Sequence, residues 1–192
     1  MRTVNMTDVI HNPVRRFGWI AAAILVAFCL ASLPHFQANV SADTTLPKVE
    51  LSADDMGPRQ IEDLTTKSIP RDYAFAWQTM AQALETNRKD LLNGYFTGLA
   101  KDNLGQKITD QQKTGIHLKY EDHGHKLQGL FYSPAGDAMQ LRDEAALQIQ
   151  VFDGDKVIET EDVTLHYIVL MTPGADRWLV RDLETIPEGK KP

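Results

Sequence analysis

The chain has 192 residues, a formal net charge of −6 and a single cysteine, Cys29. An acidic chain without a dense basic run is poorly suited to binding the phosphates of nucleic acid, so we expect no nucleic-acid partner. Because Cys29 lies inside an apolar run, the remaining chain offers no disulfide, no thiolate nucleophile and no cysteine ligand for a metal.

An uncharged apolar run at residues 17–33 follows a short leader, residues 1–16, that ends in Arg15 and Arg16. Its length is near the lower limit for a spanning helix, and the positive leader favours a cytoplasmic N-terminus. We therefore predict a membrane helix or signal peptide over residues 17–36, with everything after it extracytoplasmic, in the periplasm. The alternative is a protein secreted after cleavage near Ala42.

Residues 37–70 are rich in polar side chains and contain Pro47, Pro58 and Pro70. This composition predicts a flexible linker, because it offers little apolar surface to bury. The folded domain is expected over residues 71–187, followed by a disordered tail at residues 188–192. The domain is long enough for one core.

The first part of the domain has helical periodicity. Tyr73, Trp77, Met80 and Leu84 recur at helical spacing directly after Pro70. A second helix is predicted over residues 91–99, a break at residues 103–105, and a third helix over residues 106–114 that ends at Gly115.

From Ile116 the apolar period changes to two, which is typical of strands. Strands are predicted over residues 116–120, 126–132, 139–152, 156–171 and 177–186. Asp153-Gly154-Asp155 is a strong hairpin signal between the third and fourth of these. Helices followed by long antiparallel hairpins predict an α+β domain with the helices on one sheet face.

Several stretches together resemble the nuclear-transport-factor-2-like, or cystatin-like, superfamily. The stretches are ALETN (83–87), DLL (90–92), YF (95–96) and the closing strand RWLV (177–180). The resemblance implies a cone, in which a curved antiparallel sheet wraps around the helices. Together with a membrane anchor, the chain also looks like the periplasmic domains of secretion-system assembly factors, whose role is protein–protein interaction.

Three groups of residues could carry chemistry. His123 and His125, with His117 before them, have the spacing of metal ligands, but Gly124 between them indicates a solvated hairpin and no third ligand is evident, so we expect no metal. Asp162 and His166 lie four apart on one strand face, as an acid–base pair could. The apolar face of that strand is the opposite one, so both are expected to face water.

An aromatic set could line a ligand pocket inside the cone. Its members are Tyr73, Trp77, Tyr95, Phe96 and Trp178. Aromatic residues at helical spacing are more often simply core, so a filled interior is the competing interpretation.

The sequence therefore favours a non-catalytic, membrane-tethered interaction or ligand-binding module without a cofactor. The expected partners are the membrane, through the N-terminal helix, and another protein or a second copy of the chain. A small apolar ligand is a further candidate. The alternative function is a small secreted acid–base enzyme of the same fold, of isomerase, dehydratase or cyclase type, acting on an apolar substrate.

Overall fold

The computed structural model describes residues 46–54 and 56–187. The predicted membrane segment, residues 17–36, and the predicted tail, residues 188–192, lie outside these ranges. Within them, no helix combines the length and the apolar character needed to cross a bilayer.

Six strands and three helical segments make up the described chain. In order they are β1 (Val49–Ser52), β2 (Gly57–Pro58), α1 (Asp63–Glu85), a 3-10 helix (Lys89–Gly94), α2 (Gly98–Thr114), β3 (Ile116–Tyr132), β4 (Met139–Asp153), β5 (Lys156–Pro173) and β6 (Trp178–Thr185). This order of elements confirms the predicted α+β class.

The strands form one sheet in the order β1-β3-β4-β5-β6, and β2 also pairs with β3. The expectation of a purely antiparallel sheet is wrong, because β1 and β2 run parallel to β3. Both helices lie between these strands in the chain, and such a long crossover is what a parallel pair requires. The hairpins from β3 to β6 are antiparallel, as predicted.

The expected linker over residues 37–70 is wrong from residue 49 onward, since β1, β2 and the start of α1 all lie there. Side-chain hydrogen bonds hold this segment: Glu62 accepts from the Tyr132 hydroxyl at 2.9 Å and from Arg59 Nε at 2.7 Å. Composition alone did not reveal these partners, because Tyr132 is 70 residues away in the chain.

Helix α1 begins eight residues earlier than expected and includes Pro70 in its interior. Proline lacks the N–H that would donate to the preceding turn. Ile69, which precedes it, is completely buried. We attribute the continuation of the helix through Pro70 to this burial, which offsets the missing hydrogen bond.

Helix α2 contains the third predicted helix and begins eight residues earlier, at Gly98. The predicted second helix is instead the 3-10 segment, and the predicted break at residues 103–105 lies inside α2. Ala100 and Ile108 are buried on either side of Gly105, so packing outweighs the low helix propensity of glycine. The predicted end at Gly115 is confirmed, where the backbone is left-handed at φ 74°.

The core lies between α1 and the inner face of the sheet. From α1 the core receives Ile69, Tyr73, Ala76, Trp77, Met80, Ala83 and Leu84, and from β4 it receives Met139, Leu141, Ala145 and Leu147. The alternating burial of β4 follows the predicted period of two.

Candidate functional site

A carboxylate interrupts the apolar face of β4. Asp143 lies between Leu141 and Ala145 on the inward face, and its side chain is completely buried. A buried carboxylate must find strong hydrogen-bond donors, because losing water around its charge is costly. The residues that supply those donors form a buried polar cluster with Asp143.

A β-bulge in β3 turns His125 toward Asp143. The register shifts between Asp122 and Gly124, so Asp122 and His125 point inward although they are three residues apart. Gly124 has φ 126°, which favours glycine, and a Cβ on it would lie 3.2 Å from the carbonyl oxygen of Lys48. Asp122 Oδ1 accepts a hydrogen bond from the Gly124 amide at 2.9 Å. The bulge is therefore fixed both by the backbone and by a side chain.

The predicted solvated hairpin at this point is wrong. Residues 116–120 and 126–132 belong to one strand, and His125 is buried while His123 is exposed. Without a bulge, the alternation of β3 would have placed Gly124 on the inner face and His125 outside.

Four side chains from three elements form the buried polar cluster: Tyr73 of α1, Asp122 and His125 of β3, and Asp143 of β4. His125 Nδ1 lies 2.9 Å from Asp143 Oδ2, and His125 Nε2 lies 2.8 Å from Asp122 Oδ2. The Tyr73 hydroxyl donates to Asp143 Oδ2 at 2.8 Å. Trp77 covers the imidazole with its ring centroid at 4.4 Å.

The cluster holds His125 as an imidazolium. Burial by itself lowers the pKa of His125, but the hydrogen bonds and charges of Asp122 and Asp143 outweigh burial and raise that pKa to about 9. Burial and the charge of Asp143 raise the pKa of Tyr73 well above its ordinary value, so the phenol stays a neutral donor. The result is one cation, His125, held between the carboxylates of Asp122 and Asp143.

The geometry gives the cluster a structural role. Both ring nitrogens of His125 are occupied by carboxylates, so neither nitrogen is free to face a substrate as a general base. The side chains of His125 and Asp143 are completely buried, and only Asp122 reaches the surface, with 16% of its side chain exposed. The cluster thus ties α1, β3 and β4 together. Asp143 Oδ1 has no hydrogen-bond partner among the described residues.

The structure does not bring all five predicted pocket aromatics together. Tyr73, Trp77, Phe96 and Trp178 are buried in the core, with Tyr73 and Trp77 in edge contact at 6.2 Å. Tyr95 is only half-buried; it stacks on Phe75 at 5.6 Å, and the Arg177 guanidinium lies 5.0 Å from its ring centroid.

Asp162 and His166 lie on the outer face of the sheet. Asp162 is exposed and accepts a hydrogen bond from Gln148 Nε2 at 3.0 Å, while His166 is half-buried opposite Glu144. His117 stacks on Phe152 with centroids 4.7 Å apart. Across residues 46–54 and 56–187, no three His, Cys, Asp or Glu side chains are grouped to hold a metal ion.

A surface depression of about 300 Å³ lies where the start of α2 meets β5 and β6. Its lining residues are Gly98, Leu99, Asp102, Leu170, Arg181 and Asp182. None of the five predicted pocket aromatics lines it. The depression is a separate surface feature.

Sequence reasoning missed the polar cluster, although one signal was present. The run of inward positions on β4 reads Met139, Leu141, Asp143, Ala145, Leu147. A carboxylate at a core position of a strand indicates a buried partner, and histidine is one of the few side chains able to supply one. Which histidine it would be depended on the bulge.

No protein-family model matches the sequence. No curated protein matches it either. The structure is similar to the intermembrane-space region of the chloroplast protein ARC6, with a TM-score of 0.57 and 10% sequence identity over 67% of this chain and 98% of that chain. At this identity the likeness establishes a shared fold and nothing about function.

Two further solved structures are similar to this chain. ActVI-ORFA from Streptomyces coelicolor has a TM-score of 0.44 and 11% identity, over 66% of this chain and 99% of that chain. A protein of unknown function with a cystatin-like fold, from Nostoc punctiforme, has a TM-score of 0.38 and 12% identity, over 68% of this chain and 97% of that chain.

Proposed function

We propose that the protein is a non-catalytic interaction module, tethered to a membrane by its N-terminal apolar run and displayed outside the cytoplasm. The observation that carries this proposal is the burial of predicted pocket aromatics in the core. Trp77, Phe96 and Trp178 have only 2%, 4% and 8% of their surfaces exposed. All three belong to the hydrophobic core cluster, which favours a packing role over a ligand pocket.

The alternative function, an acid–base enzyme, has less support. Its candidates, Asp162 and His166, lie on the outer face of the sheet and not in the buried interior, where a substrate would be shielded from water. In the buried cluster, both ring nitrogens of His125 contact carboxylates and the ring is held as an imidazolium, so His125 is not available as a proton acceptor.

The tether is proposed from the leader and the apolar run at residues 17–33, which together predict export of the chain that follows. A reporter enzyme fused after Pro192 tests this placement. We expect activity only for a reporter that works outside the cytoplasm. Activity of a cytoplasm-specific reporter would contradict the placement.

Native mass spectrometry of the full chain, released from its own membranes in mild detergent, tests the interaction role. We expect masses of the chain with a protein partner or a second copy, and no retained small molecule. Trp77→Phe, which keeps most of the ring volume, is the matched control for Trp77→Ala, which opens the interior.

A monomer that carries a stoichiometric small molecule, retained by Trp77→Phe and lost from Trp77→Ala, would overturn the proposal. That result would place a ligand in the interior and would favour the enzyme.

A further inference from the structure

Strand β5 has an open edge over its first ten residues. Strand β6 pairs with β5 from Tyr167 onward, and the last backbone hydrogen bond between the two segments runs from the Ile186 amide to the His166 carbonyl at 2.7 Å. Within the described chain, residues 156–165 pair only with β4. Half of their backbone donors and acceptors therefore face outward.

The edge strand β6 is bridged by another segment of the chain at one point. The Thr97 amide donates to the Val180 carbonyl, and the Val180 amide donates to the Tyr95 carbonyl, both at 2.9 Å. The bridge lies at Val180, where β5 is already paired with β6.

Side chains along the open edge combine negative charge with exposed apolar groups. Glu159 and Glu161 share the face of Val163, and neither glutamate makes an ion pair in the parts of the chain that the structure describes. Val157 and Ile158, near the tip, are 44% and 52% exposed. β5 also has a bulge near the tip: Glu159 pairs with Val151 and Val157 pairs with Phe152, so Ile158 is the extra residue.

We propose that this open edge of β5 accepts an extended basic segment of a protein partner as an added strand. This inference rests on the proposed interaction role and names its surface. Backbone pairing supplies affinity in such complexes, and alternating side chains supply specificity. The carboxylates determine the sign of the charge that the partner segment must carry, since they attract lysine or arginine opposite them.

A second copy of the chain is disfavoured on this edge in one symmetric register. A two-fold antiparallel pairing centred on Thr160 would bring Glu159 and Glu161 of the two copies opposite each other. Like charges directly opposite in a sheet are destabilising. In that register the edge favours a strand of opposite charge over a copy of itself.

The pairing also predicts the pattern of the partner. On the face shared by Val163, Glu161 and Glu159, successive positions of an antiparallel strand meet an apolar residue and then two carboxylates. The expected pattern is apolar-x-basic-x-basic, with alternate residues on the other face.

The probe is a capped nonapeptide, Thr-Val-Thr-Lys-Thr-Lys-Thr-Val-Thr, and its binding to the full chain is measured by fluorescence anisotropy. The first comparison peptide has glutamate in place of both lysines. The second is N-methylated at every residue, which keeps the charge and removes the backbone donors. The protein variants are Glu161→Lys on β5 and, as a matched control, Glu121→Lys, an exposed glutamate on β3, which β4 separates from β5.

We expect the basic peptide to bind, the other two peptides to bind at least about tenfold more weakly, and Glu161→Lys to weaken binding by about tenfold. The Glu121→Lys control should bind like the unmodified protein. Equal effects of the two variants, undiminished binding of the methylated peptide or no binding of the basic peptide would each overturn the inference.

Photo-crosslinking in the producing cells separates this inference from the proposed function. A crosslinker is placed at Ile158 on the edge or at Leu64, which is 76% exposed on α1. Protein adducts from Leu64 alone would overturn the edge inference and leave the interaction role standing. Adducts from neither position would count against both.

Discussion

The β4–β5 hairpin has an inner half and an outer half that share one antiparallel register and differ in their surroundings. In the inner half, Leu141 pairs with Val169 and both are completely buried. In the outer half, every residue from 153 to 162 is exposed. Trp77 of α1 packs on Tyr167 of the inner half at 5.6 Å, which illustrates how the helices cover that part of the sheet.

The difference shows that backbone pairing alone does not account for the stability of a strand pair. A two-stranded hairpin is marginal in water by itself, and burial against other elements supplies most of its stability. The inner half gains that burial and includes Asp143, whose charged partner His125 lies on the neighbouring strand β3. The outer half keeps the strand geometry, and its exposed edge is free to bind another segment.

The strongest test of this contrast compares two aspartates on the same hairpin. Asp143→Ala removes the acceptor of Tyr73 and His125 and leaves a buried cation short of one carboxylate, so we expect a loss of about 3–5 kcal/mol in the free energy of unfolding. Asp162→Ala, in the outer half, should cost less than about 0.5 kcal/mol. Urea unfolding followed by tryptophan fluorescence measures both values, and equal losses would refute the contrast.

A second test asks whether charge stabilises the inner half. The pKa of His125 rises on folding from 6.5 to about 9, so its contribution is complete below pH 6.5 and disappears as the pH rises through about 9. At ~1.4 kcal/mol per pKa unit, the free energy of unfolding should fall by about 3 kcal/mol across this interval.

Urea unfolding at a series of pH values measures this dependence. His125→Gln should flatten the profile over the same interval, so the difference between the two proteins isolates His125 from other titrating groups. A profile that is identical in the variant would mean that His125 is not the charged group in the cluster.

The smallest expected effect concerns the bulge in β3 that turns His125 toward Asp143. Gly124→Ala places a Cβ at φ 126° and 3.2 Å from the Lys48 carbonyl oxygen, and such strain costs on the order of 1–3 kcal/mol. Gly94→Ala is the control, because no atom lies within 4 Å of its added Cβ. A Gly124→Ala protein as stable as the control would show that the bulge does not need glycine.

Much of the fold was predictable because it is written in local patterns. The period of two located β4, β5 and β6 to within about two residues, and Asp153-Gly154-Asp155 marked the turn of the longest hairpin. The start of the domain was not predictable in this way. Residues 49–70 owe their order to distant partners such as Tyr132, which no local composition reveals.

The buried site was hidden for a related reason. Asp143 stood at a core position in the sequence, but its partner His125 lies in a stretch that reads as a turn, Asp-His-Gly-His. A one-residue bulge reverses which side chains of a strand point inward, and no periodicity shows where it falls. The sequence could mark each aromatic residue as a pocket candidate. Whether these residues enclose a cavity depends on how they pack in the folded domain.

The sequence by itself determined the α+β class of the domain and the positions of β4, β5 and β6, because both follow from patterns within a few neighbouring residues. The tertiary structure decided which histidine is buried and charged, that β1 and β2 join the sheet in parallel, and which length of β5 stays exposed. These outcomes depend on contacts between residues far apart in the chain, whose burial and pairing energies no local pattern contains.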